Sequence, residues 1–306
     1  MCNTSRIDAE YWLGYKYHCA RRGMLKNTFC HIPGISPAAE QRLWSAGIDC
    51  WDAALKADGL ALPRRAPAAL SQYLYESLAH LARGNPQHFA ATLPAHQHWR
   101  LFPEFRHTMA YLDIETTGLG YGHTITTIVL YDGQRIRHYV QGDNLHDFTH
   151  DIRQYRTVVT YNGKAFDVPF IERCLRIKMP HAHIDLMYVL RSLGYRGGLK
   201  SCERQLGLVR QELADVDGFF AVLLWQEFRR TKDHRVLETL LAYNATDVVH
   251  LEALMVQAYN LKLHDTPFRH SHQLVAPAMP AIPFTADQET LRRLRCRVTS
   301  RYYGWR

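Results

Sequence analysis

The chain has 306 residues, enough for one large folded domain with an appendage. Its 47% hydrophobic and 22% charged residues are ordinary for a globular protein, and the absence of any run of about 18 apolar residues excludes a membrane span predicted from hydropathy. The N-terminus has no apolar stretch of the secretory type, and the seven cysteines are dispersed without a Cys-x-x-Cys pair, so we expect a cytoplasmic protein with reduced thiols.

The net charge of +8 is distributed unevenly along the chain. Residues 1–100 carry 11 Lys/Arg against 7 Asp/Glu, residues 263–306 carry 7 against 3, and residues 101–262 carry 19 of each. The two flanks are therefore basic and the central part is neutral. Basic flanks suit a polyanionic substrate such as nucleic acid, although a basic surface that serves only solubility would have the same composition.

The first hundred residues contain a small α-helical region. We expect residues 1–23 to be a disordered extension or a short packed helix, and residues 24–83 to be helical. This region resembles a helix-hairpin-helix DNA-binding unit, because a turn is followed by two predicted helices. The first helix has Ser36 as N-cap and Glu40 near the capping-box position, and the second begins beyond Gly47. A plain helical hairpin that only packs against the next domain explains the pattern equally well.

Three prolines in residues 84–104 indicate a linker, and the pattern beyond it indicates an α/β domain over residues 105–264. The predicted strands cover residues 107–114, 123–131, 135–141, 156–161 and 182–186. The predicted helices include residues 144–154, 166–177, 216–230 and 234–262. Three antiparallel strands followed by alternating helices and strands is the order of a ribonuclease-H-like domain. We therefore predict an α/β fold with a mixed β-sheet flanked by helices.

Two acids stand two residues apart in the first predicted strand, which reads Tyr111-Leu112-Asp113-Ile114-Glu115-Thr116-Thr117-Gly118. Because successive strand side chains point to opposite faces, Asp113 and Glu115 share one face. Like charges side by side are unfavourable unless a cation lies between them, and such oxygen ligands suit Mg²⁺ or Mn²⁺. A polar edge strand with two solvated acids is the alternative that these eight residues alone leave open.

Two later segments add further acids in a similar context. Asp167 follows Asn162 at the predicted start of a helix, where the helix dipole favours a negative charge. Tyr243 and Asp247 are four residues apart in the predicted helix 234–262, so they lie on one face of it. The chain thus provides four carboxylates from three separate segments.

The three segments contain Asp-x-Glu-Thr-Thr-Gly, Asn-x-x-x-Phe-Asp and Tyr-x-x-x-Asp in this order. Together they resemble the DEDD superfamily of 3′–5′ exonucleases, in the branch that uses Tyr. Within it, residues 107–262 are similar to the YprB-type ribonuclease-H-like family. The pattern of that family is also matched by Gly198-Leu199-Lys200-Ser201 and by Gln205-Leu206-Gly207-Leu208.

The resemblance implies two Mg²⁺ or Mn²⁺ ions held by Asp113, Glu115, Asp167 and Asp247. Asp113 would bridge both ions, Glu115 and Asp247 would hold the ion that activates water, and Asp167 would complete the second site. Tyr243 would orient the attacking water through its hydroxyl.

Residues that would contact the substrate are candidates of a second rank. The set is Thr116, Thr117 and Gly118 near the 3′-terminal sugar, Asn162 near the terminal nucleotide, and Lys164, Arg196 and Lys200 for phosphate. Each has a plain structural alternative, which is a strand-to-helix turn for Asn162 and solvated surface for the basic residues.

Residues 265–306 are expected to form a basic C-terminal tail. Six arginines between residues 291 and 306 occur with three aromatic residues and no acid, a composition that would suit phosphate contact and stacking on unpaired bases. A short helix near residues 286–296 followed by a solvated end is equally compatible with it.

The sequence therefore predicts a metal-dependent 3′–5′ exonuclease acting on single-stranded DNA or RNA ends, with no membrane association. Two alternatives remain open: an RNA-trimming or structure-selective nuclease with the same site, and a nucleic-acid-binding adaptor with weak or no catalysis. The intact acidic set disfavours the adaptor, because an adaptor has no need to keep like charges together.

Overall fold

The computed structural model describes residues 23–57, 70–210, 213 and 216–303. Five strands form one sheet in the spatial order β3-β2-β1-β4-β5. The strands are β1 (Met109–Thr116), β2 (Ile125–Tyr131), β3 (Ile136–Val140), β4 (Thr157–Thr160) and β5 (Ala182–Asp185). β1 pairs antiparallel with β2 and parallel with β4, β2 pairs antiparallel with β3, and β4 pairs parallel with β5. The predicted mixed sheet of an α/β fold is confirmed.

Helices surround this sheet on both faces. They are α1 (Pro37–Ser45), α2 (Trp51–Lys56), α3 (Leu70–Ala82), α4 (Pro86–Thr92), α5 (Phe102–Phe105), α6 (Phe148–Asp151), α7 (Asp167–Leu175), α8 (Leu186–Ser192), α9 (Leu199–Gln205), α10 (Gly218–Thr231), α11 (His234–Leu263) and α12 (Gln288–Tyr303). Short 3₁₀ helices cover Leu25–Asn27, Ala95–Leu101, Arg106–Thr108, Leu145–Asp147 and Ile152–Gln154.

The central strand β1 separates two cores. Leu112 and Ile114 belong to a core that includes Phe148 of α6 and Phe170 of α7. Tyr111 belongs to the core on the opposite face, to which α11 contributes. Since side chains alternate along a strand, the odd-numbered residues of β1 point to the face that α11 covers.

Helix α11 is the longest helix among the described residues, at 30 residues, and it is buried along most of its length. The side chain of Asp233 caps its N-terminus by accepting a hydrogen bond from the backbone N–H of Arg235 at 3.0 Å. Its first half shares a core with α10, and Tyr259 near its other end shares a core with the N-terminal helices. This helix therefore joins the sheet domain to the N-terminal region.

The first helix begins and ends where the sequence predicts. The Ser36 hydroxyl accepts a hydrogen bond from the backbone N–H of Ala39 at 3.2 Å. Gly47 has a φ of +83°, and the N–H of Ile48 donates to the carbonyl of Leu43 at 3.0 Å, which is the bonding of a Schellman C-cap. A glycine suits this position because the left-handed conformation brings a steric cost for other residues.

Glu40 forms a buried ion pair instead of completing the capping box that we expected. Its side chain is buried, and its Oε1 accepts hydrogen bonds from the N–H groups of Phe29 and Cys30 at 2.5 and 3.0 Å. Nη2 of Arg100 donates to Oε2 at 2.7 Å, and Nη1 donates to Oε1 at 3.1 Å. Arg100 belongs to the 3₁₀ helix Ala95–Leu101, which precedes β1 in the chain. The ion pair therefore holds α1 against this later part of the molecule. This contact favours the helical hairpin that packs against the next domain.

Residues 84–104 form packed helices and not the linker that their prolines suggested. Pro86 stands in the first turn of α4, Pro94 is the N-cap of a 3₁₀ helix, and Pro103 stands in the first turn of α5. Proline is tolerated there because the first N–H groups of a helix have no intrahelical partner. Four large side chains of this stretch are at most 2% exposed: Phe89, Trp99, Leu101 and Phe102.

The segment after α11 contains a packed helix, α12, where we expected a basic tail. Leu291 and Leu294 of α12 are buried in the core that includes α10 and α11. Glu227 of α10 accepts a hydrogen bond from Arg297 at 2.7 Å and pairs with Arg293 at 3.4 Å. Some of the arginines assigned to phosphate contact therefore hold α12 on the domain, which favours the helical alternative.

Residues 1–22 and 58–69 lie outside the described part of the chain, so the expectation for the N-terminal extension stays a prediction. Within the described ranges, no helix is long and apolar enough to cross a membrane.

Removing Arg100 should destabilise the whole fold. We expect Arg100→Met to lower the free energy of unfolding by about 3–5 kcal/mol, because it leaves the Glu40 carboxylate buried without its cation. The measurement is urea unfolding of both proteins. Arg235→Met is the control, since it breaks an ion pair with Asp233 in which the arginine is exposed, and it should cost little. Equal effects of the two substitutions would contradict the assignment.

Glu104 should make the stability of the protein depend on pH. Its Oε1 accepts a hydrogen bond from the N–H of Leu25 at 2.5 Å, its Oε2 is buried without a partner, and burial raises its pKa from 4.5 to about 8. The folded state therefore holds a proton that the unfolded state loses, so the contribution of Glu104 is full below about pH 4.5 and falls until about pH 8.

The melting temperature of Glu104→Gln should accordingly decline less than that of the wild type between pH 5 and pH 8. The exposed Glu289→Gln should follow the wild type and serves as the control. Parallel curves for wild type and Glu104→Gln would show that Glu104 does not hold this proton.

Candidate active site

Strand β1 carries Asp113 and Glu115 toward the point where its regular pairing with β2 ends. Asp113 lies opposite Val129 of β2, and the register becomes irregular between Glu115 and Thr116, as at a β-bulge. Ile114, between the two acids, packs in the core of the opposite face. Both carboxylates therefore lie on the face that α11 covers.

Helix α11 brings Asp247 to these two acids. Asp113, Glu115 and Asp247 each offer one carboxylate oxygen, and these oxygens lie within 4.8 Å of one another. Asn244, one turn before Asp247, donates a hydrogen bond from Nδ2 to Oδ2 of Asp113 at 2.6 Å. The Thr127 hydroxyl of β2 donates to Oδ1 of Asn244 at 3.0 Å and so fixes the orientation of its amide. The cluster thus lies between the centre of the sheet and one long helix.

Asp167 approaches the same place from the first residue of α7. Its Oδ1 accepts a hydrogen bond from the backbone N–H of Ile114, between the two β1 acids, at 3.2 Å. Asp167 is buried, and it lines the same cleft as the three clustered acids. The structure therefore places all four predicted acids at one cleft, with three of them in the close cluster.

Asp185 shapes the turn that leads from β4 toward Asp167. Its side chain is 1% exposed and accepts hydrogen bonds from the backbone N–H groups of Asn162 at 2.8 Å and Lys164 at 3.1 Å. Asn162 adopts a φ of +63°, a left-handed conformation that asparagine tolerates better than most residues. Asn162 is thus a strand-to-helix turn residue, and it also lines the cleft.

Crowding of like charges dominates the electrostatics of the cleft. Burial raises the pKa of Asp113 and of Glu115, and repulsion from Asp247 and Asp167 raises both further. Burial raises the pKa of Asp167 to about 7, and it also raises the pKa of Asp247 against the opposing effect of Arg210. Buried carboxyl groups that lie close together are costly to ionise when no cation is present. A hard divalent cation stabilises their ionised form, because it prefers oxygen ligands. The residues present therefore fit Mg²⁺ or Mn²⁺.

Tyr243 and Lys200 stand beside the acids. Tyr243 is 4% exposed, and burial together with the charges of Asp247 and Glu115 raises its pKa, so its hydroxyl stays protonated. The Lys200 ammonium lies 4.9 Å from the centre of the Tyr243 ring, and its Nζ is buried without a hydrogen-bond partner. Burial lowers the pKa of Lys200, an effect that Asp247 opposes. This ammonium is a donor that the protein itself leaves unsatisfied.

The cleft has a volume of about 480 Å³. Its lining combines the acids with an apolar wall, and the residues are Asp113, Ile114, Glu115, Thr116, Gly118, Leu119, Tyr161, Asn162, Phe166, Asp167, Gly218, Phe219, Val222, Tyr243 and Asp247. Leu119 and Phe219 are 84% and 62% exposed, respectively. Large apolar side chains exposed at a cleft commonly mark a contact site.

Some of the predicted substrate residues do not line this cleft. The Thr117 hydroxyl is in hydrogen-bond contact with His123 and accepts a hydrogen bond from the N–H of Thr124. Lys164 is half-buried near Asp185, and Arg196 is exposed. Of the predicted set, the residues that line the cleft are Thr116, Gly118 and Asn162.

Sequence reasoning missed the polar residues that hold the acids in place. Arg210 is buried and donates a hydrogen bond to Oδ1 of Asp247. Glu203 accepts two hydrogen bonds from Arg210 and is paired with His250. Asn244 lies inside the Tyr243–Asp247 motif, so its place on the helix could have identified it. Arg210 has no such pattern, because 37 residues separate it from Asp247.

Comparison with known proteins agrees with this architecture. Residues 110–259 match a family model of the RNase_H superfamily, RNase_H_2, and this range contains all four acids. The uncharacterized protein YprB of Bacillus subtilis (strain 168) is 30% identical over 211 residues, an alignment that covers 60% of this chain and 49% of YprB. The chain therefore spans about half the length of that relative.

A solved structure with some likeness is that of the family B DNA polymerase from the hyperthermophilic archaeon Pyrobaculum calidifontis. The alignment covers 51% of this chain and 29% of the polymerase chain, with 11% identity and a TM-score of 0.32. The mixed sheet, the superfamily match and the identity to YprB agree with one another: residues 110–259 form a domain of the RNase_H superfamily, and the chain is similar to YprB.

Proposed function

We propose that this protein is a metal-dependent 3′–5′ exonuclease that hydrolyses phosphodiester bonds at single-stranded nucleic-acid ends, in the Tyr-containing branch of the DEDD superfamily. The observation that carries the proposal is the cluster of Asp113, Glu115 and Asp247 within 4.8 Å, with Asp167 and Tyr243 at the same cleft. A ribonuclease-H-like fold is compatible with many activities, so it is this site and not the fold that supports the activity.

The carboxylates would hold two Mg²⁺ or Mn²⁺ ions. Glu115 and Asp247 would bind one ion, Asp167 would complete the second site, and Asp113 would belong to both. Two such ions supply an activated water and neutralise the leaving oxygen in phosphodiester hydrolysis. The hydrogen bond from Asn244 restricts the rotation of the Asp113 carboxylate, so the oxygens are held in position before any ion binds.

Tyr243 would orient the attacking water. Its hydroxyl stays protonated because burial and the neighbouring acids raise its pKa, so it acts as a hydrogen-bonding group and not as a base. Lys200 lies directly beside this ring with an unsatisfied ammonium. Lys200 does not line the cleft, so its ammonium would have to turn past the Tyr243 ring to reach a phosphate oxygen of the substrate, whose negative charge would satisfy it.

The apolar wall of the cleft supports a single-stranded substrate. Leu119 and Phe219 expose large apolar surfaces, and Phe166 also lines the cleft. Aromatic and apolar surfaces contact the faces of unpaired bases, which are inaccessible inside a duplex, and such contacts tolerate any sequence. An end whose last bases are unpaired is therefore the substrate that this cleft suits.

A panel of labelled strands tests the proposal. Single-stranded DNA and RNA, each with a 5′ label or a 3′ label, are incubated with increasing Mn²⁺. We expect the 5′-labelled strands to shorten stepwise while the 3′-labelled strands release label as mononucleotide from the start. Internal cuts would indicate a structure-selective nuclease. Shortening of the RNA strands but not of the DNA strands would indicate an RNA-trimming enzyme. Binding without any cleavage would overturn the exonuclease proposal and indicate the adaptor.

Asp113→Asn should abolish cleavage and leave the fold and strand binding in Ca²⁺ intact. The loss should exceed about 100-fold, since the substitution removes a metal ligand and not merely one of its hydrogen-bonding partners. The measurement is the initial rate in Mn²⁺. Asp143→Asn, at an exposed aspartate that belongs neither to the cluster nor to the lining of the cleft, is the matched control and should keep full activity. Residual activity near the wild-type level in Asp113→Asn would remove it from the site.

Tyr243→Phe should lower turnover by roughly 100-fold, the low end of what the loss of one positioned hydrogen-bond donor costs, without changing Mn²⁺ affinity. Single-turnover cleavage and Mn²⁺ binding are measured on the same preparation. Tyr259→Phe is the control, because Tyr259 is a fully buried tyrosine with an unpaired hydroxyl, about 24 Å further along α11. If both variants turn over at the wild-type rate, Tyr243 is only a packing residue.

A further inference from the structure

Arg210 is a buried cation in direct contact with the acidic cluster. Its side chain is 4% exposed, and its Nη1 donates a hydrogen bond to Oδ1 of Asp247. Its Nε and Nη2 donate to the two oxygens of Glu203 at 2.5 and 2.6 Å. One guanidinium therefore joins two buried carboxylates, one inside the cluster and one behind it.

Glu203 is itself held from a second direction. Nδ1 of His250 lies 2.8 Å from Oε1 of Glu203. His250 follows Asp247 by three residues on α11, so both belong to the same face of that helix. Glu203 lies on α9. The network thus closes a ring from Asp247 through Arg210 and Glu203 to His250 and back along α11.

The ring places one cation, Arg210, between two carboxylates, Glu203 and Asp247. The two-pronged bond to Glu203 gives the Arg210 guanidinium a compensating carboxylate and fixes the direction of its hydrogen bond to Asp247. Burial raises the pKa of Glu203, but the hydrogen bonds from His250 and Arg210 hold it below the usual value. Arg210 therefore bonds Asp247 from an orientation that Glu203 fixes.

We propose that Arg210, held by Glu203, is a positioning residue that fixes the rotation of the Asp247 carboxylate and thereby sets the affinity of the site for a divalent ion. The inference rests on the proposed metal centre and extends it to residues outside the four acids. A carboxylate with one oxygen committed to a rigid donor cannot turn away from its neighbours. Its oxygens then stay within reach of those of Asp113 and Glu115 without an ordering cost when an ion binds.

The opposite role, a cation that competes with the ion for Asp247, requires a net positive charge at Arg210. The Glu203 carboxylate offsets that charge, and its two hydrogen bonds hold the guanidinium in one orientation, which is why the geometry points to positioning. The two roles predict opposite changes in ion affinity when the guanidinium is removed, so one measurement separates them.

The test is Mn²⁺ binding to the full chain without nucleic acid, followed by electron paramagnetic resonance of the free ion or by calorimetry. Arg210→Gln should weaken the binding of Mn²⁺ by about tenfold, as is typical when a residue that hydrogen-bonds to a metal ligand is lost. Arg210→Lys should not restore it, because an ammonium carries the charge but cannot bond Glu203 with a fork and reach Asp247 at once. A purely electrostatic role would be rescued by lysine.

Arg106→Gln is the matched control. Arg106 pairs with Glu252 of the same helix α11, donating to its Oε1 from Nε and Nη2, and Glu252 is buried. Its removal should cost stability without changing Mn²⁺ affinity. Should Arg210→Gln fail to fold, Arg210→Lys carries the test alone, because it keeps a cation between the two carboxylates: positioning predicts weaker Mn²⁺ binding than in the wild type, and a purely electrostatic role predicts unchanged binding.

Unchanged Mn²⁺ affinity in Arg210→Gln, beside wild-type protein that binds the ion, overturns the positioning role and leaves the metal centre standing. Tighter binding in Arg210→Gln also overturns it and identifies Arg210 as a competing cation. A wild-type protein that binds no Mn²⁺ overturns the metal centre itself, together with this inference. Weaker binding in both Arg210 variants, with normal binding in Arg106→Gln, supports the proposal.

Discussion

The close approach of carboxylates on β1, α7 and α11 is the constraint on which the rest of the site depends. Burial and mutual repulsion raise the pKa of Asp113 and Glu115, so a cluster of this kind has a cost that the surrounding protein must offset. Each compensating donor comes from a different element: an amide from Asn244, a guanidinium from Arg210 and a backbone N–H from Ile114. The cluster is therefore held open and oriented by neutral or charge-balanced groups, which leaves its negative charge available to a cation.

The position of α11 makes this arrangement possible. The helix crosses the sheet so that Asn244 and Asp247 meet β1, while Tyr259 near its far end packs with the N-terminal helices. The buried pair of Arg100 and Glu40 joins those helices to the segment that precedes β1. The N-terminal region thus packs against the distal half of the helix whose proximal half carries the site.

Much of the fold could be predicted from the sequence because hydrophobic alternation and turn residues are local. The strand period around Asp113 and Glu115 placed both acids on one face, and the helical spacing of Tyr243 and Asp247 placed them together. The prolines of residues 84–104 did not distinguish a linker from a helix, because proline interrupts a helix in its interior but is favoured in its first turn. Pro86 and Pro103 each stand in the first turn of a helix. Arg210 could not be found, since its ion pairs depend on where distant segments meet and leave no periodic trace.

The most direct test of the metal centre is anomalous diffraction from crystals soaked in Mn²⁺. We expect two anomalous peaks roughly 4 Å apart, one bounded by Glu115 and Asp247 and the other by Asp113 and Asp167. Peaks confined to the protein surface, with none in contact with these carboxylates at saturating Mn²⁺, would contradict it.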